Sequence, residues 1–351
     1  MYFLALETSC DETAAAVFTE EPTILANVVA SQIDIHRRFG GVVPEVAARA
    51  HQQRLLPVLD EALARANVRL PEIGCIAVHN TPGLVGALLV GVSAAKMLAV
   101  ALEVPLIAVN HIESHIYAAR LAAGRDIFPC IGLVVSGGHT VLFHCKDALD
   151  FEWLGGTLDD AAGEAFDKVA SILGLGFPGG PAVERAAARG NPKAFAFPRS
   201  FIHEDRLEFS FSGLKTAVLY AVHGQDLSKI GQPARDLSAE RRADLAASFQ
   251  QAAVDVLTAK CRQALRRTGL KRLAVGGGVA ANQALRGALE RMAAQESAEL
   301  FIPPLQLCTD NAAMAAQAVE KWRRQEFSPL DLDAVPAYQS GTAMGKRSRP
   351  R

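Results

Sequence analysis

At 351 residues the chain is long enough for about two domains, each with its own core. Its 36 basic and 37 acidic residues leave a net charge of −1, which excludes the wholesale basic surface of an autonomous nucleic-acid binder but not a local patch or recruitment by a partner. The N-terminus lacks a basic leader and no uninterrupted apolar run reaches about 20 residues, so a cytoplasmic protein with no membrane association is expected. Six cysteines (Cys10, Cys75, Cys130, Cys145, Cys261, Cys308) form no C-x-x-C pair. Four of them, Cys75, Cys130, Cys145 and Cys308, lie in or beside apolar, strand-like runs, as free thiols do in a reducing compartment.

Tyr2 to Leu6 reads as a short buried strand, broken by the polar turn Glu7-Thr8-Ser9-Cys10-Asp11-Glu12-Thr13 and resumed as a second apolar run, Ala14 to Phe18. The stretch Val42 to Ala66 carries apolar residues at helical spacing through Leu55, Leu56, Val58, Leu59 and Leu63 and reads as an amphipathic helix. Glu45 and His51 on it are expected to be solvated or interface residues rather than catalytic ones. Ile76-Ala77-Val78 enters a glycine-containing turn, Asn80 to Gly86, and a long small-residue helix, Ala87 to Leu102. The mostly small and apolar run Leu98 to Val109 then leads into Asn110-His111-Ile112-Glu113-Ser114-His115. A helix from Asn110 places His111 and His115 on one face, roughly 6 Å apart along the axis. Two imidazoles at that spacing can bind one metal with a third ligand from elsewhere; the plainer alternative is a pair of histidines at a surface or domain seam.

The second half echoes the first. Cys130 to Val135 is again an apolar strand, followed by Ser136-Gly137-Gly138-His139-Thr140 and a second run, Val141 to His144. Leu273-Ala274-Val275 enters Gly276-Gly277-Gly278-Val279-Ala280-Ala281-Asn282 and a helix, Gln283 to Ala293. Repeats at about half the chain length suggest two copies of one α/β domain facing each other. Their four polar or glycine-rich loops would form two phosphate-binding walls around a cleft.

Between and after these repeats, Thr157 reads as an N-cap with Asp160 at N3 and acids in the first turn. Asp167 falls too late in that helix to serve its dipole, so a ligand-binding role is expected. Phe177-Pro178-Gly179-Gly180-Pro181 is a tight turn in which Gly180 permits close backbone approach. Phe209 to Thr216 alternates like a strand, Ser228 to Arg242 reads as a polar connection, and Ala243 to Arg267 as a helix. Cys308 to Met314 opens a small-residue helix in which Asp310, taken alone, reads as an N-cap. The tail from Gly341, with Lys346, Arg347, Arg349 and Arg351, reads as flexible, solvated or in contact with RNA.

As a set, these pieces resemble the universal tRNA adenosine threonylcarbamoyltransferase family in its bacterial form. The matching motifs, in family order, are E-T-S-C-D-E-T at Glu7, H-I-E-S-H at His111, V-S-G-G-H-T at Val135, G-E-A-F-D-K-V-A at Gly163, F-P-G-G-P at Phe177, F-S-F-S-G-L-K-T at Phe209, G-G-G-V-A-A-N at Gly276 and C-T-D-N-A-A-M at Cys308. The resemblance implies an α/β fold of two facing RNase H-like domains, as in the superfamily of actin, heat-shock chaperone ATPases and sugar kinases. The implied division is 1–112, completed by a helix at about 309–330, and 113–308. It implies transfer of a threonylcarbamoyl group from threonylcarbamoyl-AMP to the exocyclic amine of the tRNA adenosine 3′ of the anticodon, with AMP released. The family's metal ligands map onto His111, His115 and Asp310, holding one divalent ion per subunit, iron before zinc. Its adenylate-binding positions map onto Val134, Val135, Ser136, Gly137, Gly138, Asp167, Gly180 and Asn282. The partners implied are tRNA, a paralogous actin-like subunit docked through the N-terminal domain, and a small P-loop ATPase; this chain has no P-loop. The sequence departs from the family pattern at Ser114, usually Gly or Ala, and at Glu184, an Asp in some members, which leaves a ribose contact at 184 open.

An adenine amine is a poor nucleophile, so an activated acyl donor and tight positioning are needed, and Asp11 or Glu12 is the candidate for removing the proton of the attacking amine. A zinc protease would need H-E-x-x-H; the order H-I-E-S-H turns Glu113 about 100° away from that position. An ATP-dependent kinase-like or chaperone-like member of the same superfamily is the alternative the fold permits, although a histidine pair at a domain junction is not expected of one.

Overall fold

The computed structural model describes residues 1–224 and 237–338. Most of the Ser228–Arg242 connection and all of the Gly341–Arg351 tail lie outside the described residues.

The first sheet starts with β1 (Tyr2–Glu7), β2 (Glu12–Thr19) and β3 (Ile24–Ser31), paired antiparallel in sequence order. After α1 (Ile33–Arg37) and α2 (Pro44–Ala66), β4 (Ile73–Thr81) pairs parallel with β1. Helix α3 (Val85–Leu102) then crosses over to β5 (Leu106–Asn110), giving the strand order β3-β2-β1-β4-β5. Helix α2 starts with Pro44 in its first turn and stops at Asn67, which takes the left-handed conformation at φ 53°. β1 is apolar on both faces because both are covered. Leu4 and Leu6 face α2 and α3 through Leu55, Leu59, Val92 and Ala95, whereas Phe3 and Ala5 face a C-terminal segment through Ala312, Ala315, Ala316 and Val319.

Helix α4 (His111–Ala123) leads to the second sheet: β6 (Cys130–Val135), β7 (Thr140–Cys145) and β8 (Phe151–Gly156), again antiparallel in sequence order. Helices α5 (Ala162–Ile172), α6 (Gly179–Ala187), α7 (Ser212–His223) and α8 (Ala239–Thr268) follow, then β9 (Arg272–Gly276), α9 (Gln283–Gln295) and β10 (Glu299–Phe301). β9 pairs parallel with both β6 and β10, so the order β10-β9-β6-β7-β8 repeats the path of the first sheet. The chain returns through α10 (Leu305–Cys308), a 3-10 turn (Ala312–Gln317) and α11 (Ala318–Arg323) onto the first sheet. This is the duplicated α/β architecture that the sequence echoes imply.

Several expectations are corrected. The third strands of the two antiparallel ladders, β3 and β8, are additions to the elements expected from the sequence. Residues Phe209–Thr216 are not a strand: Phe209 makes one bridge to Thr157, and α7 starts at Ser212. Asp159 accepts from the Phe211 and Ser212 N–H groups and from Ser210 Oγ, so its carboxylate serves the first turn of α7. Thr157 and Asp160 do not cap α5, which begins five residues later at Ala162; the Ala162 N–H is taken by Thr140 Oγ1 from β7, and Asp160 pairs instead with Lys168 and Lys215. Helix α8 starts at Ala239 because Ser238 accepts from Arg241 N. His51 is neither solvated nor at a surface. It is fully buried, its Nδ1 lies 2.8 Å from Thr13 Oγ1, and its Nε2 donates to Cys10 O.

Helix α3 is long and apolar enough, by length and composition, to cross a membrane. One face, with Ala87, Leu88, Gly91, Val92, Ala95 and Ala99, is packed into the protein. Gly91 is needed there: a Cβ would stand 2.5 Å from Thr8 Oγ1, and that hydroxyl donates to Ala87 O. The opposite stripe of Val85, Leu89, Met97 and Val100 is exposed.

Candidate metal centre between the two sheets

Ligand sites of open α/β sheets form beyond the carboxyl ends of parallel strands. Here the parallel register aligns Leu6 with Val78 and His79 with Val109, so Glu7, His79 and the residues after Val109 emerge at one edge. Asn110 ends β5 and caps α4, its Oδ1 accepting from Ile112 N and Glu113 N. That cap fixes the helix start at His111, so His111 and His115 lie one turn apart on one face, their rings edge to face with centroids 4.8 Å apart. Asp310 comes from the far end of the chain. It is not an N-cap; the neighbouring Asn311 caps the 3-10 turn through Met314 N, which leaves Asp310 free to face the histidines. Asp310 Oδ1 lies 3.3 Å from His115 Nε2 and 3.5 Å from His111 Nε2, and the donor atoms of the three residues all fall within 4.8 Å of one another.

The electrostatics suit a cation. Burial pushes the Asp310 carboxyl up, but the adjoining His111 and His115 rings hold it below its ordinary value. Burial likewise opposes ionisation of Glu7, and the charges of His79 and His111 outweigh it, keeping that carboxyl well below the usual range. His111 is pulled down by burial and up by Asp310 and Glu7, reaching about 9. Burial dominates at His115, whose value is lowered. Both ring nitrogens of His115 are buried without a hydrogen-bond partner, its Nε2 lying close to Asp310 but out of alignment. Orphaned buried nitrogens cost on the order of 1–3 kcal/mol each, which an ion bound at Nε2 would relieve at that atom. Two imidazole nitrogens and one carboxylate oxygen fit a divalent ion such as iron or zinc.

The second sheet supplies the opposite wall. β6 ends at the turn Ser136–His139, closed by Ser136 N donating to His139 O and His139 N to Ser136 Oγ. A Cβ on Gly137 or Gly138 would meet nothing within 4 Å, so this turn opens toward free space. The turn is braced by the start of α5, where Gly163 N donates to Ser136 O and a Gly163 Cβ would come 2.5 Å from that oxygen. Burial, followed by the charges of His111 and His115, pushes His139, at the end of this turn, down to about 4.

Residues 23–317 match the family model described as tRNA N6-adenosine threonylcarbamoyltransferase (TsaD). A protein of that description from Rhodopirellula baltica is 52% identical over 352 residues, covering 96% of this chain and 97% of the relative. The chain belongs to the tRNA N6-adenosine threonylcarbamoyltransferase family. A second relative of the same description, from Moorella thermoacetica, is 49% identical over 334 residues, with 95% of each chain covered. Among solved structures, component A of (R)-2-hydroxyglutaryl-CoA dehydratase from Acidaminococcus fermentans superposes with a TM-score of 0.53 at 15% identity, over 92% of this chain and 98% of that one, a likeness of fold alone. The protein is therefore an enzyme, a transferase that modifies tRNA on the N6 of an adenosine.

The transferase places its sequence-predicted residues as follows. His111, His115 and Asp310 converge. Asp11 lies on the turn after β1 and Glu12 opens β2; Asp11 is raised by burial and then by the charge of Asp310. Val134 and Val135 bury their side chains on opposite faces of β6, so only their backbones remain for a ligand. Asp167 accepts from Gly179 N at 2.7 Å and so holds the first turn of α6, with open space above Gly180. Asn282 caps α9 through Leu285 N and donates to Gln250 Oε1. Glu184 accepts from Gln283 N, joining α6 to that same helix start. The Asn80–Gly86 loop is no phosphate wall: Asn80 Nδ2 donates to Asp333 O and Gly83 N to Pro336 O, so a C-terminal strap occupies it. Glu113 accepts from Tyr338 OH and is pushed up to about 7 by burial, against the charge of Lys321. Sequence reasoning did not single out Glu7, His79 or His139. The usable signal for Glu7 was an acid directly ending an apolar strand.

Proposed function

We propose that the donor is threonylcarbamoyl-AMP, that the acceptor is the adenosine 3′ of the anticodon, and that AMP is released. The observation that carries this reading is the His111–His115–Asp310 group, with both histidines buried and the ring nitrogens of His115 without hydrogen-bond partners, in a chain whose Gly137 and Gly138 turn opens toward free space. The adenylate lies along the backbone of Val134, Val135, Ser136, Gly137 and Gly138, with Asp167, Gly180 and Asn282 on its nucleoside half. His111, His115 and Asp310 hold one divalent ion per subunit, iron before zinc. When bound, such an ion supplies positive charge to the phosphate or carbonyl of the donor. The glycine turn aims backbone donors at the same charge, and the two walls orient the reacting carbonyl toward the amine. The test is mass analysis of tRNA nucleosides from cells depleted of the protein. Loss of threonylcarbamoyladenosine, restored by the wild-type protein, is expected; its persistence without the protein would overturn the reading.

Of the two candidate bases, Glu12 is the one with a buried carboxylate oxygen left without a partner. Its other oxygen accepts from Ser31 Oγ at 2.8 Å. Burial, reinforced by the charges of Asp11 and Asp310, raises its carboxyl to about 8. A base must be deprotonated to act, so transfer rate should rise with pH through a midpoint near 8. Glu12→Gln should remove that limb and lower the plateau about 10²-fold; an unchanged profile assigns the proton to another group.

The same reading divides the chain at residue 112/113, with about 309–330 completing the N-terminal domain. The exposed stripe of α3, where Met97 is 69% exposed, together with Leu56 on α2 at 66%, supports a paralogous actin-like subunit docking on that domain. Met97→Asp should abolish co-purification of that subunit while leaving the melting temperature unchanged; retained co-purification would move the interface elsewhere. The remaining partner is a separate small P-loop ATPase. Free cysteines throughout support a cytoplasmic setting.

A further inference from the structure

Glu7 is the last residue of β1 and is fully buried. A carboxylate in such a place needs donors. It has them on both oxygens: Ser9 N donates to Oε1, and Oε2 lies 3.1 Å from His111 Nδ1. His79 Nδ1 is 2.7 Å from the same oxygen but out of line for a hydrogen bond. The opposite nitrogen of His111, Nε2, points at Asp310. His111 is thus held at one end by a carboxylate and faces the metal centre with the other.

An ionised carboxylate only accepts, so the contact requires the proton of His111 on Nδ1. In a neutral imidazole that leaves Nε2 with its lone pair free. Ser9 Oγ, 3.0 Å from Nδ1, can accept from the same N–H. Were Nδ1 bare instead, its lone pair would face the carboxylate. His115 has no equivalent support, since its Nδ1 is unpartnered. The two histidines of the centre are therefore held unequally.

We propose that Glu7 is a positioning residue of the metal centre, accepting a hydrogen bond from His111 Nδ1–H and so fixing the ring and the tautomer that present Nε2 to the ion. Its charge also joins that of Asp310 in balancing a divalent cation. Carboxylates behind metal-binding histidines tune affinity by about 10–100-fold, and a change of that size is expected here. The inference rests on the metal reading of His111, His115 and Asp310.

The experiment is titration of the metal-free, full-length protein with Co²⁺, following the visible absorption of the bound ion. Glu7→Gln keeps the shape but removes the charge, and its amide can turn an N–H toward Nδ1 to favour the wrong tautomer. It should bind Co²⁺ about 10–100-fold more weakly than wild type, with an altered absorption band. Equal affinity within about twofold for a folded variant would overturn the proposal while leaving the metal reading intact. Failure of the wild type itself to bind Co²⁺ would overturn that reading, and this one with it. If Glu7→Gln does not fold, nitrogen NMR of the Zn²⁺-loaded wild type decides. A proton on Nδ1 of His111 supports the assignment, and a proton on Nε2 overturns it.

Discussion

Asp310→Ala is expected to abolish transfer for practical purposes, by about 10³-fold or more, while the protein remains folded. The carboxylate is the only acidic member of the three-residue cluster among the described residues, and it reaches both histidines through one oxygen. Without it, two imidazoles are left for a divalent ion that ordinarily takes at least three protein ligands. Loss of several kcal/mol of charge stabilisation in the transition state amounts to about three decades in rate. The side chain does not cap the following turn, since Asn311 does that, so no helix start is lost with it. Transfer measured on purified tRNA, together with metal content and far-UV circular dichroism, checks the result. Wild-type rates from a metal-depleted Asp310→Ala protein would remove the ion from the reaction.

The second large effect comes from one methyl group. Gly276 ends β9, and a Cβ there would stand 2.4 Å from His115 O and 2.7 Å from its carbonyl carbon. Both atoms are backbone, so α4 must move away from β9 for the methyl to fit. Overpacking of this kind costs about 1–3 kcal/mol. Gly276→Ala should therefore lower the melting temperature by several degrees, at about 2–4 °C per kcal/mol for domains of this size. Because the displaced atoms belong to His115, Co²⁺ affinity should fall as well. Gly137→Ala is the control: its new methyl meets nothing within 4 Å, so stability should be unchanged. Equal melting temperatures for wild type and Gly276→Ala would show that α4 and β9 are not locked together as described.

Much of the fold was legible because its signals are local. The apolar runs of β1, β4, β6 and β9, and the glycine turns after them, are carried by neighbouring residues, and the second set repeats the first. The edge strands β3 and β8 were not legible, since each is only partly buried and its pattern is weak without the ladder beside it. The start of α7 was hidden for a different reason: its first turn is held by Asp159, about 50 residues earlier in the chain. His51 was misjudged because a histidine on an amphipathic helix carries no mark of the Thr13 and Cys10 groups that receive it.

The sequence alone determined most of the element types, the duplication, the helical spacing of His111 and His115, and, through its ordered motifs, the family. Only the tertiary structure decided that Asp310 turns toward those histidines instead of capping its own helix, and that Glu7 stands behind His111. It also decided that the Asn80–Gly86 loop is taken by the C-terminal strap. Each of these depends on groups 80 or more residues apart being brought within hydrogen-bond or ion-pair reach. A polar side chain's role follows from the partner that satisfies it, and when that partner is distant in sequence, only the folded chain supplies it.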